Sequence, residues 1–147
     1  GCKVHSGASA IWSQIKGGID DSLKGMQCKS LVVTGHSLGG QLAALAMFSL
    51  QDEYGYQVEL SYTFEGSTPF NGAATAVFDG GLFPRKISLF RITHTSDNVA
   101  VFPRKAGYLQ PGSQVWFYGP TAQDYVHCGT VAQAPKCGVN GLPRDTL

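Results

Sequence analysis

Ser30-Leu31-Val32-Val33-Thr34-Gly35-His36-Ser37-Leu38-Gly39-Gly40-Gln41 is the stretch that decides the fold. Ser30 to Thr34 is β-branched and apolar, the composition of a strand buried on both faces. Gln41 to Tyr54 is rich in Ala and Leu. Leu38, Leu42, Leu45 and Ser49 lie on one side of that predicted helix, and Gly55 closes it. Between the two, Gly35 to Gly40 must reverse a strand into a helix. The pattern G-x-S-x-G sits in that reversal, with strand and helix flanking it in the required order. The bend forces Ser37 into a strained backbone geometry. A side chain at Gly35 or Gly39 is expected to collide with the neighbouring strand or helix. The turn lifts the Ser37 hydroxyl from the sheet edge and aims the free N–H groups of the helix start at the same point. Ser37 is therefore the candidate nucleophile, and the Leu38 backbone N–H is a candidate oxyanion donor.

Upstream, Lys3 to His5 reads as the end of a short strand, and Ser9 as the N-cap of a helix. Ile11, Ile15, Ile19 and Leu23 follow at steps of four, a narrow helical stripe. Gly17 and Gly18 weaken this helix by about 1 kcal/mol each relative to Ala, and Gly25 ends it. Downstream, Gln57 to Phe64 alternates, with Val58, Leu60, Tyr62 and Phe64 facing one way and Glu59, Ser61 and Thr63 the other. A short helical piece is expected near Ala73 to Phe78. Lys86 to Thr93 and Val115 to Tyr118 read as strands, and the chain from Gly119 on as loop. Strand–helix–strand alternation argues for an α/β fold with parallel strands.

The chain has 147 residues, one domain's worth, of which 43% are hydrophobic and 14% charged, a globular composition. Its net charge of +1 makes no electrostatic case for nucleic acid or an acidic membrane. The longest apolar stretch, around Leu42 to Leu50, is far short of the roughly 18 residues of a spanning helix. The first residue is Gly1 and no signal-peptide pattern precedes it, so the chain is expected to be processed or part of something longer. Of the cysteines, Cys2, Cys28, Cys128 and Cys137, none lies at zinc-ligand spacing. Cys128 and Cys137 read as a local loop disulfide, which favours an oxidising compartment. The pairing of Cys2 and Cys28 stays open.

A serine hydroxyl needs a base, usually a histidine, oriented by an acid. In sheets of this type the order is Ser, then Asp or Glu, then His. Asp97 follows the strand Lys86 to Thr93 at a carboxyl end, where such sheets place functional groups. The alternative for Asp97 is a solvated loop aspartate capping a turn with Asn98. Of the histidines, His36 adjoins Ser37 and diverges from it, His5 comes too early and packs behind the site, and His94 is structural at a strand end. His127 alone follows Asp97 and is the fallback base.

Val4-His5-Ser6-Gly7, Val32 to Gly40, Tyr62-Thr63-Phe64, Arg91-Ile92-Thr93-His94-Thr95-Ser96-Asp97 and Val115-Trp116-Phe117-Tyr118 stand in the order seen in the lipase class 3 family, which this chain resembles over nearly its whole length. That family includes secreted fungal triacylglycerol lipases, feruloyl esterases and many nematode homologues. The resemblance implies an α/β-hydrolase-type, mostly parallel sheet with flanking helices, incomplete at both ends, so that residues 1–147 are a partial domain. It implies Ser37 as nucleophile and Asp97 as triad acid. It also places the triad histidine beyond Leu147, and the lid and second oxyanion donor upstream of Gly1. The implied activity is that of a secreted ester hydrolase acting through an acyl-Ser37 intermediate on an ester or lipid substrate at a lipid–water interface, with no metal or organic cofactor.

The chain departs from the family's Gly-x-Pro-Arg-x-Gly-Asn loop, reading Glu65-Gly66-Ser67-Thr68-Pro69-Phe70-Asn71. Asn98-Val99-Ala100 replaces the usual Pro-Val-Pro. These changes motivate a second hypothesis, a catalytically silent relative that binds lipid or a protein partner.

Overall fold

A computed structural model describes residues 1–80, 87–95, 99–102, 107–130 and 137. Helix α1 (Ser6–Gly25) starts four residues earlier than the sequence suggests, because His5 and not Ser9 is its N-cap. The entry point is set by pairing. The His5 amide donates to the Pro69 carbonyl, the Asn71 amide donates to Lys3, and Val4 forms one antiparallel bridge with Phe70. The Lys3–His5 strand is thus reduced to a bridge outside the main sheet. The buried face of α1 carries Ala8, Trp12 and Asp20. Of the expected stripe, Ile19 and Leu23 pack against the core, while Ile11 and Ile15 are 37% and 41% exposed.

The strand from Ser30 is cut in two, β1 (Ser30–Leu31) and β2 (Thr34–His36). The Ser61 hydroxyl fills the gap by accepting from the Val33 amide at 3.0 Å. Helix α2 (Leu38–Asp52) follows. β3 (Gln57–Val58) and β4 (Ser61–Phe64) replace the single alternating strand. After β5 (Phe70–Asn71) come α3 (Gly72–Gly80), β6 (Leu89–His94), a 3-10 turn (Val99–Val101), β7 (Tyr108–Leu109), β8 (Ser113–Phe117) and β9 (Tyr125–Gly129). β9 corrects the expectation of loop beyond Gly119. It pairs antiparallel with β8 through Val115 and His127, and Cys128 on it is bonded to Cys137. Cys2 and Cys28 are free thiols.

The main sheet runs β2-β4-β6-β8-β9, the first four strands parallel. Register aligns Thr34, Tyr62, Phe90 and Ser113 across it, and His36, Phe64, Ile92 and Val115. α1, α2 and α3 supply the core together with Val58, Phe70, Ile87 and Leu89. Toward this core the sheet turns small and polar residues: Ser61, Thr63, Arg91, Thr93 and Gln114 are all buried. Burial pushes the Arg91 guanidinium down to about 10 against the opposing charge of Asp79, so it stays protonated at neutral pH. The other face is aromatic. Tyr62 stacks on Phe90 and Phe90 meets His127 edge-on, with centroids 6.0 Å and 5.2 Å apart. Tyr62 and Phe64 are 38% and 44% exposed there, and Val32 is 64% exposed. Contrary to the expectation of a strand buried on both faces, β2 is an edge strand among the described residues and its outer face is open.

Open, contiguous apolar surface of this kind binds hydrophobic dyes. The isolated 147-residue chain is expected to enhance anilinonaphthalene sulfonate fluorescence under native conditions. Tyr62→Thr with Phe64→Thr should remove most of that signal, and an unchanged signal would assign the dye to another surface.

Asp20 gives a pH-dependent prediction. Its carboxylate accepts from the Lys24 ammonium at 2.6 Å and from the Tyr56 hydroxyl at 2.9 Å. The Lys24 bond, opposed by desolvation and aided by Tyr56, holds this carboxyl below its usual value. A carboxyl lowered by folding stabilises the protein above its unfolded value, and the contribution is lost as pH falls through the folded value. Asp20→Asn is expected to lower Tm at neutral pH and to flatten the loss of Tm below about pH 4, as read by thermal melts across that range.

Candidate active site

Ser37 occupies the junction between β2 and α2 with φ 54° and ψ −123°. A non-glycine residue at that φ is strained, and it is held from both sides. Its amide donates to the Phe64 carbonyl at 3.0 Å, and its carbonyl accepts from Gly40 and Gln41 at 3.0 Å and 3.2 Å. Ser37 stands at the N-cap position, yet its hydroxyl makes no capping bond and has no partner among the described residues. The Leu38 amide, first of the helix, likewise has no acceptor among the described residues. A free hydroxyl and a free donor therefore adjoin at the carboxyl end of β2.

The glycines that permit this are Gly35 and Gly40. A Cβ on Gly35 would lie 2.1 Å from the Gly39 carbonyl oxygen, and one on Gly40 would lie 2.7 Å from Gly66 Cα. Gly39 does not share that role, because a Cβ there meets nothing within 4 Å. The expected collision at Gly39 is thus corrected: it is the backbone of Gly39, and not its missing side chain, that crowds Gly35.

Ser37 opens on a cavity of about 280 Å³ lined by His5, Leu38, Gln41, Ser67, Val99 and Phe102. The loop after β4 assembles it. Gln41 Nε2 donates to the Thr68 carbonyl at 2.8 Å, and the Thr68 amide and hydroxyl both donate to the Phe102 carbonyl at 2.8 Å and 2.7 Å. Gln110 Nε2 donates to the Gly66 carbonyl and, at 2.9 Å, to that of Ala100. Gln41 and Gln110, both buried, were not singled out from the sequence. Glutamine between apolar segments carries no signal of its own, because its value here lies in reaching main-chain carbonyls of distant loops.

Asp97 lies outside the described residues. The strand that leads to it is well anchored. The His94 amide donates to Glu65 Oε1 at 2.5 Å, the Thr95 amide donates to the Phe117 carbonyl at 2.6 Å, and Trp116 Nε1 donates to the Thr95 carbonyl at 3.0 Å. Glu65, with φ 47°, is a second anchor that pattern reading missed. His36 is on the open sheet face beside Phe64, and His94 ends β6. The fallback base His127 lies on β9, at the opposite edge of the sheet from β2, roughly 19 Å away at the usual strand spacing. The structure does not bring it to Ser37. His5, expected behind the site, lines the cavity itself. Among the described residues there is no group of three or more His, Cys, Asp or Glu able to hold a metal ion.

Residues 1–106 match the family model described as Lipase (class 3). The chain is 30% identical over 143 residues to the secreted mono- and diacylglycerol lipase 1 of Fusarium solani, covering 93% of this chain and 40% of that protein. It therefore spans well under half the length of that relative. Among solved structures, a lipase from Rhizopus microsporus var. chinensis is 30% identical with a TM-score of 0.72, covering 88% of this chain and 46% of that one. A mutant form of MDLA from Penicillium cyclopium gives a TM-score of 0.80 at 26% identity, covering 97% of this chain and 54% of that one.

The turn makes opposite predictions for adjacent glycines. Gly35→Ala should cost at least about 3 kcal/mol by overpacking backbone on backbone. Gly39→Ala, in open space on a helix, should change stability by no more than about 1 kcal/mol. Urea unfolding of the two variants checks this.

Proposed function

Because the chain belongs to the class 3 lipase family, we propose that it carries the nucleophilic half of a serine carboxylic ester hydrolase. The observation that carries this is Ser37, strained at positive φ, with neither its hydroxyl nor the adjacent Leu38 amide bonded to any of the described residues. In the proposed reaction the Ser37 oxygen attacks the ester carbonyl and its proton passes to a general base. The Leu38 N–H donates to the developing oxyanion. The tetrahedral intermediate collapses, the base returns the proton to the departing alcohol, and an acyl-Ser37 ester remains. Water then adds by the same route and releases the carboxylic acid.

Asp97 is the proposed acid that orients the base. His127 lies at the opposite edge of the sheet from Ser37, and we assign the base to the part of the polypeptide outside these residues, as the coverage of 40% of the Fusarium relative allows. The proposed substrates are acylglycerols at a lipid–water interface, since relatives are named as secreted mono- and diacylglycerol lipases. The rim of the cavity suits an acyl chain: Leu38, Val99 and Phe102 are 49%, 39% and 64% exposed. An extracellular location fits those names and the Cys128–Cys137 bond. Among the described residues no helix is long and apolar enough to cross a membrane. The silent-relative reading draws only on the altered loops, and the uncommitted hydroxyl speaks against it.

The test uses the full-length polypeptide. A fluorophosphonate probe is expected to label Ser37, Ser37→Ala to abolish labelling and ester turnover, and Asp97→Asn to lower kcat by roughly 10⁴-fold. Folded protein that is not labelled would overturn the enzyme reading.

A further inference from the structure

Two polar atoms on the wall of the Ser37 cavity, His5 Nε2 and the Ser67 hydroxyl, have no partner among the described residues. His5 is fixed from several directions. Its Nδ1 accepts the Ala8 amide at 3.4 Å, and its own amide donates to Pro69. Gly7 lies under the ring, where a Cβ would stand 3.3 Å from His5 Cε1. Tyr108 meets the ring edge-on with centroids 5.8 Å apart, and its hydroxyl reaches the Val4 carbonyl at 3.5 Å. With Nδ1 accepting, the ring proton sits on Nε2. Nε2 has no partner among the described residues. Such a ring cannot take a proton from Ser37 through Nε2, but it can donate one hydrogen bond into the cavity. Ser67 is 8% exposed, lines the same cavity, and its hydroxyl has no partner among the described residues.

We propose that His5 and Ser67 form a polar subsite that binds a free hydroxyl on the alcohol half of the ester. The lining of the cavity then serves both halves of the ester, apolar Leu38, Val99 and Phe102 for the acyl chain and polar His5 and Ser67 for the alcohol. A hydroxyl both donates and accepts, and so matches an imidazole N–H and a serine hydroxyl together. A methyl ester offers nothing to either group and covers both without supplying a partner, which is how polar sites reject analogues lacking a hydroxyl. The subsite therefore selects partial glycerides and other hydroxylated alcohols over simple alkyl esters. This deepens the hydrolase reading and rests on it.

The closing experiment measures binding without chemistry. The full-length protein is titrated calorimetrically with 1-O-octylglycerol and with methyl octyl ether, which shares the octyl chain and lacks the hydroxyls. The wild type is expected to prefer the alkylglycerol by about tenfold or more. Ser67→Ala should lose most of that preference, and so should His5→Ser, which retains an oxygen to cap α1. In turnover, the ratio of kcat/KM for monooctanoylglycerol over methyl octanoate should fall through KM in both variants. No preference in the wild type, or a preference that survives Ser67→Ala, would overturn the subsite. Fluorophosphonate labelling of the same samples judges the other reading separately: labelled protein without the preference removes the subsite alone, and unlabelled protein that still discriminates removes the catalytic reading while the subsite stands.

Discussion

The contact between Gly40 at the start of α2 and Gly66 after β4 is the constraint from which the site follows. Their backbones approach so closely that a Cβ on Gly66 would stand 3.2 Å from Gly40 Cα. Only two residues without side chains allow a helix start to lie directly against the loop of the neighbouring strand. That proximity turns Ser37 into its strained conformation, and it lets Gln41 reach the Thr68 carbonyl. The loop so captured becomes a hub. Through Pro69 it fixes His5, through Thr68 it fixes Phe102, and through Gly66 it is tied to Gln110. The altered Glu65 to Asn71 segment, which departs from the family pattern, is thus the framework of the cavity and not a defect in it.

The sheet has two unlike faces for a related reason. α2 is apolar nearly all round and is buried along most of its length. It presses on β4 at Ser61 and Thr63, where small residues allow close approach. The bulk that would normally fill a core, Tyr62, Phe64, Phe90 and Ile92, points the other way. Under the helices Gln114 Nε2 donates to the Thr93 hydroxyl at 2.9 Å, whereas the Arg91 guanidinium nitrogens have no hydrogen-bond partner among the described residues. A buried polar layer of this sort fixes register, because a slip by one residue would strand its hydrogen bonds.

Much was legible along the chain. The strand–turn–helix around Ser37, the parallel α/β class and the Cys128–Cys137 bond are local signals, carried by residues close in sequence. The failures are informative. Ser9 has the better capping chemistry, yet His5 caps α1, because pairing with Pro69 and Asn71 fixes where the chain enters the helix. Val58 and Tyr62 share a parity in sequence but not a face, because the strand breaks at Glu59 and Leu60. Tyr125 to Gly129 lacks an apolar run and still pairs, because β8 offers it a free edge.

By itself the sequence determined the Ser37 turn and its helix, since that geometry is dictated by steric demands within a dozen residues. Only the tertiary structure decided what faces Ser37. His5 and Ser67 are 62 positions apart by their numbers, and they come to line one cavity because one loop is clamped between a helix start and a glutamine from far downstream. No periodicity encodes such a meeting, which depends on hydrogen bonds to main-chain carbonyls that any residue supplies.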